Sequence, residues 1–163
     1  MGETSVRLEL VETSDRLEYL PYLVMADESE SVVKEYIAEG QMFAIVGDSG
    51  SVIGVALFVE ESKGVIELKN IALDPQFRRL GLGKQVINQA FEIFREQGLR
   101  KMMVGTANSS IANLAFYQKA GFRMVEIRKD FFSKYPEPIF EDGIQAVDMV
   151  MFERVLDESC SCS

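Results

Sequence analysis

The chain has 163 residues, 47% of them hydrophobic, enough apolar sequence for one compact domain with its own core. Its 26 Asp+Glu against 17 Lys+Arg give a net charge of −9, which argues against a nucleic-acid partner and suits a cationic or amine one. With no histidine anywhere, histidine zinc sites, a Ser-His triad and imidazole base catalysis are excluded.

No apolar run approaches the length needed to cross a membrane, and Met1-Gly2-Glu3-Thr4 lacks the basic and apolar regions of a signal peptide. The two cysteines, Cys160 and Cys162, sit two apart in the polar segment 158–163, a spacing that gives neither a disulfide framework nor a metal site. The expectation is a cytoplasmic protein with one domain over residues 1–156 and a flexible polar tail over 157–163.

Alternation of Val6, Leu8 and Leu10 with Arg7 and Glu9 predicts an opening strand. Residues 13–25 have helical apolar spacing, with Thr13 or Ser14 able to cap the helix and Pro21 expected to kink or end it. Residues 31–39 predict a second helix, with Val32, Val33, Tyr36 and Ile37 on one side and Gly40 as its stop.

Strands are then predicted over 42–47 and 52–60, joined by the turn Asp48-Ser49-Gly50-Ser51. A third follows over 65–73, closed by Asp74-Pro75. Residues 82–97 carry an apolar helical stripe of Val86, Ala90, Phe91 and Phe94, with Gly98 where a C-cap falls. A strand over 100–106 and a helix over 110–120, ended by Gly121, come next. Strands over 122–129 and 144–155 finish the chain, separated by a long link that contains Pro136 and Pro138. This order predicts an α/β domain with a mixed sheet covered by helices on both faces.

One segment carries chemistry. Arg78-Arg79-Leu80-Gly81-Leu82-Gly83 lies between a strand and a helix start, and between Gln76 and Gln89 there are three cations and no acid. A glycine-bearing turn at a helix start aims backbone N–H groups at one point, with the helix dipole behind them, and so suits a phosphate. It is not a Walker A loop, because Arg78 and Gln85 stand where a glycine and a Ser/Thr are required. Nor is it a Rossmann fingerprint, because Val86 replaces the third glycine.

A second segment, from Asn108 to Phe122, narrows the choice. Arg78-x-x-Gly81-x-Gly83 resembles the acyl-CoA pyrophosphate loop of the GNAT superfamily of N-acetyltransferases, and Tyr117-x-Lys119-x-Gly121-Phe122 resembles that family's second motif. The match is best over about residues 65–122, and the order of elements fits nearly the whole chain. The resemblance implies a mostly antiparallel sheet of about seven strands in which a parallel pair, here 67–73 and 101–106, splays apart to admit acetyl-CoA.

By the same resemblance, backbone groups of Ile71, Ala72 and Leu73 bond the pantetheine arm, and the turn through Arg79, Leu80, Gly81, Leu82, Gly83 and Lys84 takes the pyrophosphate, with charge added by Arg78 and Lys84. Lys119 falls in the second motif and is counted with the cofactor-binding residues. The family usually has Asn seven residues before the tyrosine and Ala four before it, where this chain has Ser110 and Asn113, with Asn108 just upstream. Either Ser110 or Asn113 could replace the missing pantetheine contact, and Asn108 or Ser110 could instead cap the helix.

An alkylammonium with pKa near 10 must lose a proton before it attacks a thioester, and the departing thiolate must gain one. The resemblance gives these roles to Glu67 as base and Tyr117 as acid. Glu67 could equally pair with Lys69, and Tyr117 could be a core residue. No cysteine lies in the motif region, which favours direct attack in a ternary complex over an acyl-enzyme. The expected acceptor is a small cationic amine; the link 130–143 reads either as an aromatic and acidic lip near the acceptor mouth or as a solvated loop packed by its own aromatics. The alternatives are a peptide or protein amine, or a non-catalytic acyl-CoA sensor; a homodimer is a further family expectation.

Overall fold

The computed structural model describes residues 5–27, 29–78 and 80–156; Arg79, the tail 157–163 and both cysteines lie outside the described residues. Strand β1 (Val6–Leu10) pairs antiparallel with β2 (Gln41–Gly47), which pairs with β3 (Val52–Ser62), which pairs with β4 (Val65–Leu73). β4 then runs parallel to β5 (Lys101–Ala107). Two antiparallel pairings, β5 with β9 (Met149–Val155) and β9 with β6 (Arg123–Arg128), complete a seven-stranded sheet in the order β1-β2-β3-β4-β5-β9-β6. A separate two-stranded hairpin joins β7 (Phe140–Glu141) to β8 (Ile144–Gln145).

Two apolar cores cover the faces of this sheet. Helices α3 (Leu82–Glu96) and α4 (Ile111–Lys119) press one face, where Phe58 and Phe94 stack 4.9 Å apart and Val86, Ile87 and Ala90 are fully buried. Helices α1 (Leu20–Ala26) and α2 (Glu30–Tyr36) press the other face through Leu23, Val33 and Tyr36 against Met42, Val55 and Leu57. Among the described residues no helix is long and apolar enough to cross a membrane.

Two elements differ from their sequence-based reading. Residues 13–25 form no single helix: Thr13–Tyr19 is a 3-10 turn, and Pro21 sits in the first turn of α1. Proline lacks only an N–H that a first turn leaves unbonded anyway, so here it starts a helix and does not end one. The second difference is the last strand, which is broken. Ile144–Gln145 belongs to the β7–β8 hairpin, whose turn Asp142-Gly143 takes φ of 54° and 76°. That left-handed pair is the preferred chemistry of a two-residue hairpin turn. β9 starts only after Asn108 Oδ1 has accepted hydrogen bonds from the Val147 and Asp148 amides.

Helix α2 is held at both ends. The Ser29 hydroxyl accepts from the Val32 amide at its start. At its exit the buried Arg16 guanidinium donates to the carbonyls of Ile37, Glu39 and Gly40, at 3.0, 2.5 and 2.5 Å. Gly40 takes φ +60°, and a Cβ there would lie 1.9 Å from the Phe58 carbonyl oxygen. Gly40→Ala is therefore expected to cost about 2 kcal/mol or more, read as a lower urea midpoint at unchanged slope.

Candidate active site

The site begins with a register shift in β4. Leu57 pairs with Asn70 and Phe58 with Leu68, so Lys69 is an extra residue on β4. A bulge of this kind bends a strand and turns neighbouring side chains to one side. Lys69 and Asn70 accordingly both reach the α1–α2 face: the Lys69 ammonium lies 5.6 Å from the centre of the Tyr36 ring, and Asn70 Nδ2 donates to Tyr36 Oη and to the Leu23 carbonyl, each at 2.9 Å.

The strands part at the same point. β4 and β5 pair from Val65↔Lys101 to Leu68↔Val104, and no pair joins their continuations Lys69–Leu73 and Gly105–Ala107. Past the bulge β4 keeps its β3 partners through Gly54↔Leu73, so the edge it turns toward β5 is left open. Backbone groups on such an edge can receive an extended ligand as a further strand. Ala72 is buried, while Ile71 and Leu73 pack partly on the α3 core, so these side chains build core while their backbone borders the gap.

The glycine turn stands at the same end of β4. Gly81 takes φ 78° and is the N-cap of α3, with no side-chain cap. No acid occupies the first turn of α3, and the space where a Gly81 Cβ would stand is open for 4 Å. The opening amides of a helix have no partner within it, which leaves them for an anion. A Cβ on Gly83 would lie 3.3 Å from the Phe116 ring of α4, so this glycine also sets how closely α3 and α4 approach. Leu82 is buried, Leu80 and Lys84 are exposed, and Arg78 turns its Nε to the Leu73 carbonyl at 3.1 Å.

Around the start of α4 the candidate polar residues are already engaged. Asn108 donates to the Gln145 carbonyl at 3.2 Å in addition to its two acceptor contacts, so its side chain holds the β8–β9 link. Ser110 donates to Glu141 Oε1 at 2.7 Å, and although it is the N-cap of α4 its side chain makes no capping bond. The helix-cap reading of Asn108 or Ser110 is thereby corrected: tertiary partners take both side chains. Asn113 Nδ2 donates to Thr106 Oγ1 at 3.3 Å, on β5 beyond the parting. Lys119 is exposed in the last turn of α4. Sequence reading passed over Ser109, which is fully buried with an Oγ that has no partner among the described residues.

Tyr117 is 5% exposed, with its ring between Phe116 at 5.1 Å, Phe122 at 5.6 Å and Phe152 at 5.8 Å. Burial raises its phenol pKa above the ordinary value, so it keeps its proton throughout the neutral range. Glu67 points to the opposite face, its carboxylate 4.0 Å from Lys69 Nζ. Burial raises the Glu67 pKa; the Lys69 ammonium opposes that rise, and a hydrogen bond with the Glu61 carboxyl adds to it.

A third layer closes this face. The Asp27 carboxylate accepts from Tyr36 at 3.0 Å and from Tyr135 at 3.1 Å, joining the α1–α2 connection to the long link after β6. That link also stacks Phe132 on Phe131 and on Tyr135. Two clefts of about 230 Å³ lie elsewhere, one lined by Phe91 and Arg154, the other by Glu9, Glu12, Asp15 and Glu18. The open strand edge and the glycine turn, not concavity, mark the site. Among the described residues no group of acids could hold a metal ion.

A mixed sheet whose one parallel pair among the described residues splays beside a glycine-capped helix defines a class of group-transfer domain that takes an extended, phosphate-bearing donor. Comparison with known proteins names it: residues 11–122 match the acetyltransferase (GNAT) family, and the chain belongs to that family. It is 40% identical over 153 residues to the uncharacterized N-acetyltransferase YvbK of Bacillus subtilis, covering 92% of this chain and 96% of that protein. Among solved structures, an IAA acetyltransferase from Bacillus cereus superposes with a TM-score of 0.84 at 36% identity, over 92% of this chain and 99% of the other. A GNAT acetyltransferase from Elizabethkingia anophelis with acetyl-CoA bound superposes at 0.85 with 30% identity, over 92% and 97%.

The raised pKa of Glu67 has a consequence for stability. Between the ordinary carboxylate pKa and the raised value the folded chain binds more protons than the unfolded one, so stability falls as pH rises through that window and the loss persists above it. Glu67→Gln removes the loss. The variant is expected to gain stability relative to the parent near pH 7 and to show no such gain near pH 3, measured by urea unfolding at both.

Proposed function

We infer that this acetyltransferase moves an acetyl group from acetyl-CoA to the amine of a small cationic acceptor, by direct attack within a ternary complex. The observation that carries this reading is the parting of β4 from β5 after Leu68↔Val104, beside the uncapped start of α3. An unpaired strand edge suits the pantetheine amides, and the Gly81 turn suits the pyrophosphate. Ile71, Ala72 and Leu73 hold the arm through their backbone; the amides of the Leu80–Lys84 turn take the phosphates, with Arg78 and Lys84 adding charge. The buried Ser109 hydroxyl, without a partner among the described residues, is a further polar group at this end of β5.

When bound, acetyl-CoA supplies an acyl group already activated as a thioester. The chain's own work is to hold the amine, remove its proton and return one to the thiolate. Glu67 takes the amine's proton: burial raises its pKa above the ordinary carboxylate value, which makes it a stronger base than an exposed carboxylate. Tyr117 carries a proton at any neutral pH and gives it to the sulfur as the thiolate leaves. The aromatic and acidic side chains around Asp27 and Tyr135 favour a cationic acceptor.

The test is CoA thiol release from acetyl-CoA with polyamines, aminoglycosides, amino acids and short peptides. Saturable release with a cationic small amine supports the reading. Release only with peptides would move the acceptor class, and saturable acetyl-CoA binding without release would make the domain a sensor. With the acceptor in hand, Glu67→Gln is expected to lower kcat/KM about 10²–10⁴-fold and remove the acid limb of its pH profile. Tyr117→Phe keeps the aromatic packing and is expected to lower kcat about 10²-fold at unchanged affinity for acetyl-CoA.

A further inference from the structure

The Lys69 ammonium occupies a half-cage. On one side is Glu67 Oε1 at 4.0 Å; on another is the Tyr36 ring, its centre at 5.6 Å. A carboxylate and an aromatic face are what recognise an alkylammonium. Tyr36 is fixed where it stands, since its hydroxyl is bonded to both Asp27 and Asn70. The same network holds an open acceptor: Asn70 is 5% exposed, and its Oδ1 has no hydrogen-bond partner among the described residues. Lys69 itself is not trapped, because its side chain is 36% exposed against 13% for Glu67. It can withdraw to solvent and leave the carboxylate and the ring behind.

We propose that Lys69 is an internal occupant of the acceptor subsite, its ammonium standing where the substrate's ammonium binds, so that every acceptor must first displace it. This rests on the amine-acceptor reading above and adds the residues that recognise the cation. Lys69 then determines specificity by competition. An amine that offers only one ammonium exchanges like for like and gains little, whereas one that makes further contacts with the ring and carboxylate shell wins. The bulge is what permits this arrangement, for without the extra residue Lys69 and Asn70 could not both face Tyr36.

The experiment is calorimetric titration of 1,4-diaminobutane into the full chain with CoA present, comparing the parent with Lys69→Met and Lys69→Gln. Each substitution removes the competing cation and leaves the cage standing. Both are expected to bind the diamine about tenfold more tightly, a change matched to the loss of one half-exposed ion pair and one cation–π contact. Lys34→Met removes an exposed cation of α2 that pairs with Glu30 and is expected to leave the affinity unchanged. Equal affinity in the parent and both Lys69 variants, absence of binding in all of them, or the same gain in Lys34→Met would overturn the proposal, the last by assigning the effect to net charge. Thiol release run in parallel separates the two readings. Tighter binding without transfer would keep the subsite and sink the acetyltransfer assignment; transfer without tighter binding would do the reverse.

Discussion

One extra residue in β4 organises this domain. The register shift between Leu57↔Asn70 and Phe58↔Leu68 coincides with the last pair that β4 makes to β5, at Leu68↔Val104. A bulged strand twists more strongly than its neighbour, and a parallel neighbour that keeps a regular pleat cannot follow it. β5 does keep its pleat, held by seven successive pairs to β9 from Lys101↔Val155 to Ala107↔Met149. The conflict is resolved by parting. The backbone edge on one side of the gap, and the presentation of Lys69 and Asn70 on the α1–α2 face, both follow from that single irregularity.

The sequence shows the periodic part of this fold and hides the irregular part. The stripe of Val86, Ala90, Phe91 and Phe94 predicts α3 to within a residue, because a 3.6-residue repeat is a local property. The glycine stops after α2, α3 and α4 are equally local, and Gly40, Gly98 and Gly121 all take positive φ. The left-handed Gly81 was legible as a turn for the same reason. Lys69 as a bulge was not, since β4 reads as an even strand and the extra residue exists only relative to β3. Nor was the Asp27–Tyr135 bond, whose partners are 108 residues apart. Asn108 misleads in another way: an asparagine before a helix suits a cap, but the chain spends it on Val147 and Asp148. The β7–β8 hairpin did leave a local signal, Asp142-Gly143, obscured by the proline-containing link around it.

Electrostatics on the two faces of β4 differ in kind. Tyr117, on the α3–α4 side, lies in an apolar core with its ring against Phe116, Phe122 and Phe152, and burial alone shifts its phenol. Glu67, on the other side, feels opposed influences: burial and the Glu61 carboxyl raise its pKa, while the Lys69 ammonium and Arg128 lower it. A group shifted by burial alone has one stable protonation state. A group held between opposing influences responds when one of them moves.

The same asymmetry gives displacement of Lys69 a chemical meaning. While Lys69 is in place, its charge favours ionised Glu67. On the displacement reading an entering ammonium replaces one cation with another, so Glu67 stays ionised as the acceptor arrives. Once the acceptor's proton has passed to Glu67, the amine beside it is neutral, and the weaker influence of Arg128 is what still opposes burial. Burial then favours the protonated carboxyl, which holds the proton while the free amine attacks. A carboxylate flanked by a fixed, permanently paired lysine could not behave in this way, because its affinity for the proton would be the same before and after transfer. The exposure of the Lys69 side chain is therefore as much a part of the site as the burial of Glu67.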